Sequence, residues 1–222
     1  MAINLQKGQR INLRKDNGAT LERFCVGCNW GAIEESTGIF GLGKRKVEVD
    51  LDLSCVMFDG QGNLCDHIYS PLYKSEFLAR YGMPLGKLDS RTGALHHTGD
   101  DRSGDVDGDD GEDNEIITVD LTRVGDDVAR IFFFLNNCGG EDFSEIPYAA
   151  IRMYEGTPDN VLNVYAAYNV AASPEYRGKR AVVMGELYRK EGEWKFSAIG
   201  DAFDDANLCV TIARIAQTFV KR

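Results

Sequence analysis

The chain has 222 residues and a formal net charge of −10, with 43% hydrophobic and 10% aromatic residues. That hydrophobic content excludes a disordered acidic protein, and the length suits one large domain with a substantial core. The acidic balance, with basic residues scattered, disfavours nucleic acid as a partner and points to cations or basic surfaces.

The opening MAINLQKGQRINLRKD lacks the apolar run that follows the basic start of a signal peptide. No stretch approaches about eighteen apolar residues, so the sequence predicts a soluble cytoplasmic protein. Strand-like runs then succeed one another: FCVGCNW at 24–30, KVEVDLDLSCVMFDG at 46–60, DHIYS at 66–70, EIITVDL at 115–121 and RIFFFLN at 130–136. They continue with YAAIRMY at 148–154, NVLNVYAAYNV at 160–170, RAVVMGELYRK at 180–190 and EWKFSAIG at 193–200. Turn signals separate them, including Asp59-Gly60 and a short Glu191-Gly192 link between two strands. Many short strands with Gly-rich turns predict a mainly β fold, a two-sheet antiparallel β-sandwich over 1–200. In VDLDLS, Val49, Leu51 and Leu53 share one face and Asp50 and Asp52 the other, so two carboxylates stand side by side.

Residues 201–222 change character. Leu208, Ile212, Ile215, Ala216 and Phe219 fall at helical spacing, with Asp204 or Asp205 as the cap and Lys221 and Arg222 at the end. This predicts a C-terminal helix packed on the same domain. The six cysteines (Cys25, Cys28, Cys55, Cys65, Cys138, Cys209) lie mostly in apolar strand-like runs and read as free thiols. Cys25 and Cys28 would point to opposite faces of a strand, which argues against structural zinc.

The densest chemistry is HHTGDDRSGDVDGDDGEDNE at 96–115. From Asp100 to Glu115 nine carboxylates face one arginine, a net of −8. Neighbouring carboxylates repel by roughly 1 kcal/mol per pair even in bulk water, so an ordered loop here calls for a cation. Ca²⁺ takes about six to eight oxygen ligands from carboxylates, carbonyls and water, and Gly99, Gly104, Gly108 and Gly111 permit the tight turns that converge them. The loop is not an EF-hand, because Val106 stands where the sharp turn needs Gly and the flanks do not read as helices. It reads instead as a loop between strands, which Asp50 and Asp52 could complete from the sheet. His96 and His97 abut it as candidates for a base or a softer-metal ligand. Phosphate-loop, nucleophile-elbow and HExxH motifs do not occur.

These residues resemble the bacterial tellurium-resistance TerD family of stress proteins. HTGDDRSGDVDGDD at 97–110 is similar to the family's acidic signature, and MGELYRKEGEWKFSAIG at 184–200 to its C-terminal hairpin. VDLDLS at 49–54, the L-x-K-G opening at 5–8 and GCNW at 27–30 extend the resemblance over 2–200. It implies a non-enzymatic β-sandwich that binds one or two Ca²⁺ and takes part in resistance to tellurite, chemical damage and phage. Carried onto matching positions, it implies metal ligands at Asp100, Asp101, Asp107, Asp109 and Asp110, with Asp50 and Asp52 from the strand. Glu115 would replace an acid that the family usually has where Gly111 stands, and Asp101 and Val106 stand where it usually has Asn and Gly. Expected partners are other proteins of the tellurium-resistance and stress system, including at the inner face of the membrane. Two further readings are a calcium-dependent membrane-docking module and a metal-dependent phosphoesterase. The segment 76–95 is longer than the family's usual link.

Overall fold

A computed structural model describes residues 3–4, 8–15, 17–37, 43–170 and 173–221. Residues 5–7 of the L-x-K-G opening, and Arg222, lie outside these residues.

The strand-like runs become β1 (Ile3–Asn4), β2 (Arg10–Asn12), β3 (Arg23–Trp30), β4 (Ile33–Thr37), β5 (Gly43–Val47), β6 (Leu51–Phe58) and β7 (Leu64–Ile68). A short helix α1 (Ser75–Arg80) precedes β8 (Leu95–His97), β9 (Glu115–Asp120), β10 (Arg130–Asn137), β11 (Ala149–Thr157), β12 (Asn160–Asn169), β13 (Ala181–Lys190), β14 (Glu193–Phe203) and helix α2 (Leu208–Thr218). One sheet runs β1-β12-β11-β3-β9-β8 and the other β2-β14-β13-β10-β6-β7, while β4 and β5 pair as a separate hairpin. Among the described residues the strands pair antiparallel, apart from β1 on β12. The expected mainly β sandwich with a C-terminal helix is the observed fold.

The main core lies between the sheets, where Leu51, Leu53, Cys55 and Met57 of β6 meet Val26, Cys28 and Trp30 of β3. Period-two alternation sends Val56 and Phe58 to the opposite face, and with Phe132, Phe134 and Val183 they pack under Leu208, Ile212, Ile215 and Phe219 of α2. A strand covered on both faces has no reason to alternate polar and apolar residues. This explains Phe132-Phe133-Phe134 in β10, whose middle ring faces the inner core while its neighbours face α2.

The helix is shorter than the 201–222 periodicity suggests. Residues 201–203 complete β14, with Phe203 opposite Ala181. The cap is Asn207, which accepts from Val210 N at 3.2 Å, rather than Asp204 or Asp205. Asp205 is buried and grips the Arg214 guanidinium instead, with contacts at 2.5 to 3.0 Å. The Glu191-Gly192 link turns β13 into β14 with φ of 55° and 82°.

Candidate metal centre

The acidic stretch crosses between β8 and β9 at one end of the sandwich, sewn down by backbone hydrogen bonds. Asp105 N donates to Trp30 O at 2.9 Å, Val49 N to Ser103 O at 3.3 Å and Asn114 N to Cys28 O at 2.9 Å. Gly104 lies against the buried Trp30 with φ of +64°, and a Cβ there would come within 2.4 Å of Trp30 Nε1. Gly99, Gly108 and Gly111 also have positive φ. At the far end Asp113 pairs with Arg152 Nε at 2.8 Å, and the side chain occupies the space that Gly27 leaves empty.

Two groups of carboxylates result. In the first, Asp50, Asp52 and Asp100 each bring a ligand atom within 4.8 Å of the others, so Asp52 of β6 and Asp50 just before it do meet the loop. In the second, Asp105, Asp109 and Asp110 do the same. Asp107 is exposed and belongs to neither group. Asp101 and Glu115 also stand outside both, committed to holding the loop. Asp101 Oδ1 accepts from Ser103 N at 2.8 Å and Gly104 N at 3.0 Å. The buried Glu115 accepts from Asp101 N at 3.0 Å and Leu53 N at 2.7 Å, which ties loop to β6.

Burial pushes the Glu115 carboxyl up, against the opposing effect of His97, whose Nε2 lies 3.4 Å away. His97 Nε2 also donates to Leu53 O at 3.0 Å, and its Nδ1 accepts from Gly99 N at 3.0 Å. Both ring nitrogens are therefore engaged, and His97 is a brace of the loop. His96 is exposed and hydrogen-bonded to Asp89 at 2.8 Å.

The first group opens into a pocket of about 230 Å³ lined also by Ser70, Leu72, Tyr73, Arg102 and Cys138. Asp52 is 5% exposed. Its Oδ2 accepts from the Tyr73 hydroxyl and from the Cys138 thiol, the latter at 2.8 Å. Burial pushes the Asp52 carboxyl up to about 7, although those hydrogen bonds pull the other way. Asp50 is likewise raised by burial and then by the charge of Asp100. Arg102, 3.8 Å from Asp50, partly offsets this.

In the second group Asp105 Oδ2 accepts from Tyr148 Oη at 2.8 Å, and Asp109 Oδ1 from Asn29 Nδ2 at 3.1 Å. Asn29 Oδ1 is buried without a hydrogen-bond partner. A buried carboxylate crowded by like charges is what a hard divalent cation relieves, and the orphaned oxygen belongs to the residue whose amide nitrogen already reaches Asp109. The all-oxygen donor set fits Ca²⁺ or Mg²⁺ rather than a soft metal.

The ligand set expected from the sequence contains none of Asp105, Asn29, Tyr73, Tyr148 and Cys138. The GCNW resemblance was the available signal for Asn29. Six free cysteines match the thiol reading, with Cys28 in the inner core and Cys25 in a small cluster on the outer face of β3. Burial pushes Cys25 up to about 11 and raises Cys28 and Cys55 well above the ordinary thiol value, so these thiols stay protonated at neutral pH.

The family profile described as TerD domain matches residues 1–214. The chain belongs to the TerD family. It is 33% identical to stress response protein SCP2 of Bacillus subtilis (strain 168) over 220 residues, which cover 96% of this chain and 99% of that protein. Tellurium resistance protein TerZ of Serratia marcescens is 29% identical over 200 residues, 90% of each chain. A crystal structure of a homologue of telluride resistance protein (TerD) from Streptomyces coelicolor A3(2) shares the fold. Its TM-score is 0.59 at 14% identity, covering 90% of this chain and 97% of that one. Among the described residues no helix is long and apolar enough to cross a membrane.

Proposed function

We propose that this TerD-family chain is a non-enzymatic calcium-binding module of a cytoplasmic stress-response system, active against tellurite, chemical damage and phage. The ion orders the acidic loop and creates a surface for protein partners of that system. The observation that carries the reading is the pair of three-carboxylate groups, one built from sheet and loop and one from the loop alone. The relatives named for tellurium resistance and stress response support the setting. The engagement of both His97 nitrogens speaks against a metal-assisted hydrolase built on that residue.

When bound, the ions neutralise the carboxylates. Asp50, Asp52 and Asp100 would hold one, and Asp105, Asp109 and Asp110, with Asn29 Oδ1, the other. Glu115, Asp101 and His97 keep the loop in register for both.

Calorimetric titration of metal-stripped protein with Ca²⁺, with Mg²⁺ as competitor, tests this. Two saturable sites are expected. One should be lost in Asp50→Asn with Asp52→Asn and the other in Asp105→Asn with Asp109→Asn. Absence of calcium binding by the folded wild-type chain would refute the proposal.

A further inference from the structure

The segment 72–85 presents an unexpected surface beside the first carboxylate group. Leu72 and Leu85 are each 64% exposed and Tyr81 is 49% exposed; among the described residues the other exposed large apolar side chains are Leu64, Val161 and Leu162. Leu72 lines the same pocket as Asp50, Asp52 and Asp100. An aromatic ladder runs along the same segment and ends on Tyr81. Tyr73 stacks on Phe77 with centroids 6.1 Å apart, and Phe77 meets Tyr81 at 5.4 Å. Tyr73 also meets Tyr69 edge-on at 6.2 Å, and Tyr69 Oη donates to Pro84 O at 2.6 Å, next to Leu85.

Charge follows the same geography. In a chain of net −10, residues 72–87 carry Lys74, Arg80 and Lys87 against Glu76. Lys87 is taken up by the buried Asp66, but Lys74 and Arg80 are exposed. Across the pocket Arg102 is 71% exposed. Apolar tips among basic side chains complement an anionic lipid surface, where basic residues meet headgroups and apolar ones enter the acyl boundary.

We propose that residues 72–85 with Arg102 form a calcium-dependent docking surface for an anionic phospholipid bilayer. The inference rests on the calcium reading of the Asp50, Asp52 and Asp100 group. Three carboxylates binding through one atom each leave about half or more of the roughly six to eight positions of Ca²⁺ unfilled. The open pocket between Leu72 and Arg102 gives headgroup oxygens access to those positions. Leu72 then enters the interface beside the bridged headgroup, and Lys74, Arg80 and Arg102 compensate the surrounding lipid charge. Without the ion, three carboxylates repel the same headgroups.

The test is co-sedimentation of the full chain with phosphatidylcholine vesicles with and without phosphatidylserine, in calcium or in chelator. Calcium binding without vesicles is read in parallel by calorimetry. We expect pelleting only with phosphatidylserine and calcium. Arg80→Gln with Leu85→Asp should weaken it at least about tenfold while keeping calcium affinity and melting temperature, since both side chains are exposed and neither lines the pocket of the carboxylates. Millimolar inorganic phosphate should not abolish it. Calcium binding without pelleting overturns the docking inference alone, as does pelleting unchanged by the double variant. Calcium-dependent dimerisation in lipid-free solution that the double variant removes overturns it in favour of a second copy. Absence of calcium binding removes the proposed function itself, and vesicle binding that survives in chelator removes the calcium dependence.

Discussion

At the residue scale, Asp52 shows what burial does to a carboxylate that two hydrogen bonds do not fully compensate. Its folded, metal-free value is raised to about 7 by burial, above the ordinary carboxylate value of about 4. Between those values the folded chain holds a proton that the unfolded chain releases. The contribution of Asp52 to metal-free stability is therefore full below about pH 4 and is lost as pH rises through about 7. Calcium needs the ionised form, so its binding should expel a proton below about pH 7, and apparent affinity should climb with pH and level off above that. Calorimetry at pH 6 in buffers of different ionisation enthalpy measures the proton, and Asp52→Asn should abolish the part belonging to this group. Gly104 is a second diagnostic residue. Alanine there meets both a left-handed backbone and the Trp30 indole, so Gly104→Ala should cost about 2 kcal/mol or more and lower the melting temperature by several degrees in a thermal scan. The acidic composition of the loop was plain from the sequence. That Asp101 and Glu115 spend their oxygens on backbone amides was not, because a side chain's partners are set by where the chain returns.

At the element scale, strands and their alternation were legible because period two is a local property. The Glu191-Gly192 turn was legible for the same reason. Glu191 has φ of 55°, and Asn tolerates that region better, so Glu191→Asn should raise stability by about 0.5–1 kcal/mol, some 2–4 °C per kcal/mol in calorimetry. The start of α2 was misplaced because acidic residues at 204 and 205 also suit a cap. Asp205 is drawn off by Arg214, and Asn207 takes the position. Asn207→Ala should cost about 1 kcal/mol by chemical denaturation. Helix α1 opens the long 76–95 segment, starting one residue before it, and Tyr73 and Phe77 join it to Tyr69 of the sheet end through ring contacts.

At the scale of the whole molecule, the acidic loop joins both sheets, through Trp30 and Cys28 on one side and Leu53 on the other. Cation binding should therefore stabilise the complete fold rather than the loop alone. With free calcium at about 100 times its dissociation constant, one site adds about 2.7 kcal/mol, a rise in melting temperature of roughly 5–10 °C. Differential scanning calorimetry with calcium against chelator checks this, and Asp50→Asn with Asp52→Asn should shrink the rise. The sequence by itself determined the mainly β class, the C-terminal helix, the family and the concentration of carboxylates, since each is written in periodicity or in contiguous motifs. Only the tertiary structure decided that the acids divide into two groups, that Asp105 and Asn29 join one while Asp101, Asp107 and Glu115 stand apart, and that Tyr73 and Cys138 close over Asp52. Those outcomes depend on which side chains, 21 residues away in one case and 86 in the other, arrive at the same oxygen, and pairing across such separations leaves no local mark.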